Sequence, residues 1–216
     1  MNLPLFITLM TTWNYLLFVQ YWPGCWIQNG HIHATNFTND HFNVHGIWPE
    51  YYNGSYPQYC NKTATFDINQ LTPIYNNLTT YWTDYINATA FWQHEFLRHG
   101  TCAEADPVMS TELEFFSTGL QLREKYNLYQ ILANHNILPS NTKSYALDDI
   151  RAAVTNGIQK QVAVTCQNNI LDEIIICLDV NLNAIDCPSN IPQCGSANIS
   201  YNSVQKIEFS NDYLLH

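Results

Sequence analysis

The segment Phe91-Trp-Gln-His-Glu-Phe-Leu-Arg-His-Gly-Thr-Cys102 sets two histidines, a glutamate and an arginine among aromatic residues. Nothing breaks it before Gly100, so it reads as a helix stopped by glycine at its C-cap. On an α-helix Glu95, Arg98 and His99 stand at i, i+3 and i+4 and share one face. Arginine neutralises phosphate oxygens and imidazoles move protons near neutral or mildly acid pH, so this trio suits a phosphodiester. The bland alternative is a solvated face of ordinary i,i+4 pairs. A zinc protease would need H-E-x-x-H, with its histidines one turn apart. His94 and His99 are five residues apart, about 140° around an α-helix, so that alternative fails on spacing.

A second stretch, Phe42-Asn-Val-His-Gly-Ile-Trp-Pro49, ends a short strand at His45 and pins it between Gly46, Trp48 and Pro49. Working outward, Tyr15–Gln20 reads as a buried strand ended by Trp22-Pro23-Gly24, and residues 49–63 as an exposed loop. Residues 71–86 carry one or two short helices. Residues 111–126 form the clearest helix, capped by Ser110 or Thr111, with Leu113, Phe116, Leu120 and Tyr126 on its apolar face. Further helices are expected over 128–135 and 147–154, and strands over 162–166, 171–179 and 204–209. Strands frame helices without regular alternation, which predicts an α+β fold with a central antiparallel sheet. No linker or repeat divides the chain, so residues 13–216 read as one domain.

The charged fraction is 12% and the formal net charge is -10, with a pI of about 5.0. Such a chain lacks the basic footprint of a nonspecific nucleic-acid binder. Of seven cysteines none forms a C-x-x-C pair, and the last four stand within thirty residues. Six N-x-S/T acceptors occur, at Asn36, Asn53, Asn61, Asn77, Asn87 and Asn198. Sequons and cysteines together point to the secretory pathway. Residues 1–12 include a short apolar run, Leu3–Met10, without a preceding Lys or Arg, and read as a leader or residual signal segment. No stretch reaches the roughly 20 apolar residues of a membrane span, and no membrane partner is expected. His31-x-His33 near His41 offers a weak metal pattern in a polar segment.

The two segments resemble the signatures of the T2-type acid ribonucleases, whose first runs as H-G-L-W-P after a short strand and whose second runs as F-W-x-H-E-W/F-x-K-H-G-T-C. The resemblance extends to Phe18-Val-Gln-Tyr-Trp-Pro23, to Glu50–Pro57, and to Ile176-Cys-Leu-Asp179 with Ile185-Asp-Cys-Pro188. It covers nearly the whole chain from about residue 13. It implies a disulfide-stapled fold and a secreted, vacuolar or lysosomal endoribonuclease that cleaves single-stranded RNA, leaves DNA untouched and needs no cofactor or metal. His99 would take the proton of the ribose 2′-OH and His45 would protonate the departing 5′-oxygen, giving a 2′,3′-cyclic phosphate. Glu95 and Arg98 would stabilise the transition state and His94 would hold the phosphate. Gln20 and Phe91 match base-contacting positions, with Trp48 in support.

The resemblance also implies the pairs Cys60–Cys102, Cys166–Cys194 and Cys177–Cys187. Cys25 lacks the neighbour it has in relatives, so it is expected free or engaged between molecules of an otherwise monomeric protein. Two departures stand out. Arg98 replaces the family's lysine, keeping charge but changing shape. Trp82-Thr83-Asp84-Tyr85 replaces W-P-N in a region that shapes a base pocket. The rival from another class is a secreted recognition or defence protein on the same fold that no longer depends on catalysis. Recognition members tend to be basic and inactive ones lose a histidine, whereas this chain is acidic and keeps both.

Overall fold

The computed structural model describes residues 13–30 and 40–204. The segment 1–12, His31, His33, Asn36 and all of the expected strand 204–209 beyond Val204 lie outside the described residues. One sheet is built from β1 (Tyr15–Tyr21), β2 (Asn43–Glu50), β3 (Ser144–Ala146), β4 (Ala163–Gln167), β5 (Ile170–Leu178), β6 (Ala184–Ile185) and β7 (Asn198–Ser200). The path runs β2-β1-β5-β7-β3, with β4 and β6 also paired to β5. Pairing is antiparallel except where Ile170 of β5 meets Ser200 of β7 in parallel, so the sheet is mixed rather than purely antiparallel. The short β3, β6 and β7 sit in polar sequence whose periodicity is too brief to announce a strand.

β1 is buried at every position, as expected of a central strand with both edges paired and both faces covered. Alternation sorts its two faces. Leu16, Phe18 and Trp22 join the main core, while Tyr15, Leu17 and Val19 enter a smaller cluster that touches Trp48.

Pro23 begins a helix instead of merely ending a strand. It stands in the first turn of α1 (Pro23–Gln28), where its missing N–H costs nothing. A 3₁₀ turn over Ile68–Ile74 leads into α2 (Tyr75–Tyr81). Next comes α3 (Ala88–Glu95), whose N-cap Asn87 accepts from the Ala90 N–H. The helix then passes through a π turn, Phe96–Gly100, into α4 (Thr101–Ala103), so Gly100 does not terminate it. Gly100 has an ordinary helical φ of -58°, and a Cβ there would stand 2.6 Å from the Phe96 ring. Glycine is required for that close approach rather than for a left-handed cap.

α5 (Glu112–Lys125) opens with Thr111 accepting from the Glu114 N–H, while the Glu114 carboxylate accepts from the Thr111 and Ser110 hydroxyls. Its buried face is Phe115, Phe116, Gly119 and Leu122, with Leu113 and Leu120 at the margin. α6 (Leu128–Ala133) and α7 (Leu147–Ile158) complete the helical layer, and α7 ends at Gln159 in the left-handed conformation. Three disulfides close at Cα–Cα distances of 5.0 Å for Cys60–Cys102, 5.1 Å for Cys166–Cys194 and 5.1 Å for Cys177–Cys187. Cys25 is free but fully buried in α1, with its thiol directed at the Ile170 carbonyl and pushed up to about 12 by burial and then by Asp172.

Candidate active site

His45 is delivered by an irregularity in β2. Val19 pairs with Gly46 and Gln20 with Val44, so His45 is an extra residue without a partner on β1. Bulges of this kind re-aim a side chain and sit preferentially beside active sites. The bulge is anchored from outside, because Trp82 Nε1 donates to the His45 carbonyl at 3.0 Å. The ring turns to β5, where Nδ1 meets Glu173 Oε1 at 2.5 Å. Trp48, Trp26 and Tyr21 present rings roughly perpendicular to it at centroid distances of 4.9, 5.8 and 6.2 Å.

The opposing groups come from α3 and the π turn. A π turn closes its hydrogen bond to the fifth residue rather than the fourth, so it adds one residue to the local period. The five-residue spacing of His94 and His99 therefore no longer separates them. Their rings lie 6.5 Å apart, and ligand atoms of His94, Glu95 and His99 all lie within 4.8 Å of one another. The angular argument against a shared His94–His99 face held for a uniform α-helix and does not hold here. This trio has the donor chemistry to accept a divalent cation as well as a phosphate.

Glu95 is only 1% exposed, which disposes of the solvated-face alternative. Its Oε2 accepts from Trp48 Nε1 at 2.9 Å, directly over Gly46. A Cβ on Gly46 would stand 2.2 Å from both of those atoms, so only glycine lets strand and helix meet there. Trp48 also stacks on the His99 ring at 5.4 Å and 29°. It thus touches His45, Glu95 and His99 at once while lining the cavity that they share.

Electrostatics pulls the two principal histidines apart. Burial opposes charge on His45, but the Glu173 hydrogen bond and the fields of Glu173, Glu95 and Asp172 outweigh it and raise its pKa. His99 is lowered to about 3, first by burial, then by Arg98, His94 and His45. Its Nδ1 is buried with no hydrogen-bond partner among the described residues, a setting that further disfavours the cation. His94 is also lowered, by partial burial, Arg98 and His45. Glu95 is raised to about 7 because burial outweighs His45, Trp48 and Arg98.

Two cavities share the edge formed by His45, His94 and Glu95. One, of about 340 Å³, continues past Trp48, Arg98 and His99 to Glu50 and Tyr56. The other, of about 580 Å³, is walled by Trp26, Phe91, Asp84, Gln167, Asp172 and Glu173. Arg98 and Phe91 are thereby placed on the cleft. Gln20 is not, because it points into the main core at 0% exposure and donates to the Tyr126 carbonyl at 3.0 Å. Its place at the strand end put it on the core face of β1. Sequence reasoning missed Glu173, Asp172 and Trp26. For the two acids the signal was their adjacency in the otherwise apolar run ILDEIIICL, which strand propensity alone does not explain.

The geometry is that of a two-lobed cleft with His45 and His94 on the edge its lobes share, and comparison with known proteins identifies the family and the fold that carry it. Residues 13–187 match the Ribonuclease T2 family, and the chain belongs to that family. It is 36% identical over 189 residues to Ribonuclease Oy of Magallana gigas, covering 81% of this chain and 87% of that one. Among solved structures, the S-like ribonuclease trichomaglin superposes with a TM-score of 0.78 at 26% identity, covering 88% of this chain and 98% of its own. RNase NT, solved with 5′-AMP bound, gives a TM-score of 0.76 at 25% identity, covering 88% and 98%.

Proposed function

We propose that this T2-type endoribonuclease cleaves single-stranded RNA by transphosphorylation, with His99 as general base and His45 as general acid. The observation that carries the reading is the opposed tuning of the two imidazoles across one cleft. A group held neutral down to about pH 3 can take the 2′-OH proton in acid. A group held charged by its carboxylate neighbours can give one to the 5′-oxygen. Pairs whose surroundings push their pKa values apart are how acid and base roles are assigned. The 2′-oxygen attacks phosphorus as the P–O5′ bond breaks, leaving a 2′,3′-cyclic phosphate that water then opens with the roles reversed.

Glu95 is raised to about 7, so in acid it is a neutral carboxylic acid able to donate to a phosphorane oxygen. Arg98 supplies the fixed positive charge and His94 the outer contact to phosphate. The shared waist between two lobes suits a phosphodiester flanked by two nucleosides, with the Phe91 ring facing one of them. Five exposed acceptor sites (Asn53, Asn61, Asn77, Asn87 and Asn198) and three disulfides support secretion or delivery to a vacuole or lysosome. No helix among the described residues is long and apolar enough to cross a membrane.

Purified protein should convert RNA to 2′,3′-cyclic nucleotides in excess EDTA and leave DNA intact. His99→Ala should lower kcat on the order of 10²–10⁴-fold while circular dichroism stays native. Because His94, Glu95 and His99 cluster, EDTA is the decisive arm. Cleavage that stops with chelator and returns with a divalent metal would replace this mechanism by a metal-dependent one. A native-like protein that leaves RNA intact under every condition would instead favour the recognition role.

A further inference from the structure

We propose that Glu173 is a positioning residue for His45: its carboxylate holds the Nδ1–H and so aims Nε2 at the oxygen that leaves. This rests on the general-acid role given to His45 above. The contact is 2.5 Å, with 24% of the histidine side chain and 16% of the glutamate side chain exposed. Glu173 stands on β5 opposite Tyr21 of β1, so its carboxylate crosses a whole strand to reach the bulge on β2. It is held from behind, since its own N–H donates to Thr165 Oγ1 at 3.1 Å. A carboxylate placed in a mostly covered strand costs free energy unless it is paired. His45 is the imidazole it meets.

With Nδ1 committed, Nε2 is the only ring nitrogen left to meet substrate. During cleavage the Nε2 proton passes to the 5′-oxygen as P–O5′ breaks. His45 ends neutral, and Glu173 remains a carboxylate throughout, as an orienting acid does beside a catalytic histidine. Several groups share the field around the ring. β5 presents Glu173 and Asp172, α3 presents His94 and Glu95, the π turn presents Arg98 and His99, β1 presents Tyr21, and Asp84 lines the same cavity. Asp172 is already engaged by Trp26 Nε1 and Gln167 Nε2, so among the described residues Glu173 is the one carboxylate hydrogen-bonded to the ring.

Glu173→Gln keeps the shape and an acceptor but removes the charge, and Glu173→Asp keeps the charge at shorter reach. For Glu173→Gln, the His45 imidazole followed by NMR should titrate at lower pH than in the native protein. The basic limb of kcat on RNA should move the same way, with about tenfold or greater loss near neutrality. On uridine 3′-(4-nitrophenyl phosphate), whose leaving group needs no proton, the loss should shrink to about threefold or less. Glu173→Asp should restore the basic limb. Equal losses on both substrates, with an unmoved His45 titration, would overturn the proposal and leave a purely structural tie between strands. If Glu173→Gln fails to fold, the Glu173→Asp limb and the native His45 titration decide. The NMR reading does not need turnover, so an inactive native protein would refute the ribonuclease mechanism without being mistaken for failure of the pair.

Discussion

The two regions that face each other across the cleft reach their positions by the same device in opposite media. On β2 one surplus residue makes a bulge and turns His45 toward Glu173. In the helix one surplus residue makes a π turn and brings His99 beside His94. Against the cost of burial, the strand side sets Glu173 and Asp172, which together with Glu95 from the helix raise its histidine. The helix side holds Arg98, His94 and a buried, unpartnered nitrogen, and it lowers its histidine. The same side chain is favoured as a cation on one wall and as a neutral ring on the other. What distinguishes them is the charge that each backbone irregularity places next to the ring.

The contrast can be broken most severely at the covalent tie between its halves. Cys60, in the loop after β2, is bonded to Cys102 in α4 across 42 residues. Replacing both cysteines with serine should cost about 4 kcal/mol by loop entropy, read as a lower denaturant midpoint. An unchanged midpoint would mean that packing alone joins the two regions. Next in size is Gly46→Ala, which thrusts a methyl group between Glu95 and Trp48 and should cost about 1–3 kcal/mol. Its activity should fall further than its stability accounts for, measured as kcat on RNA under conditions where the variant is fully folded.

The smallest effect sharpens the electrostatic half of the contrast. In the proposed mechanism His99 must be neutral to accept a proton, so activity should decline as pH falls through its folded pKa of about 3. Arg98 lowers that value, so Arg98→Gln should move the His99 NMR titration, and the acid limb of the rate profile, to higher pH. The His45 titration should move less, since its larger influences are burial and the β5 carboxylates. A His99 curve unmoved by loss of Arg98 would assign its depression to burial alone. The sign also bears on stability. A histidine lowered in the folded state costs stability as pH falls from the ordinary imidazole range toward 3, because the unfolded chain binds the proton first.

Much of the site was legible because its residues are adjacent in the chain. His94, Glu95, Arg98 and His99 fall within six positions, and His45 is fenced by Gly46 and Trp48, so residue type and local spacing drew attention to them and the resemblance to the family's two signature segments singled them out. What failed was geometry read from a uniform helix or strand. Gly100 read as a stop and His94–His99 read as divergent, because a π turn leaves no mark in residue periodicity. Gln20 read as a base contact, but the side of β1 it occupies puts it in the core.

The sequence by itself determined the class of fold and the two segments that hold the candidate residues, because burial patterning and reactive side chains are written locally. Only the tertiary structure decided the surroundings that push the pKa values of His45 and His99 in opposite directions. It also brought Glu173, 128 residues away in sequence, within 2.5 Å of His45. The physical reason is that proton affinity is set by solvent exclusion and neighbouring charge. Both arise when distant strands and helices close around the ring, and no local pattern encodes them.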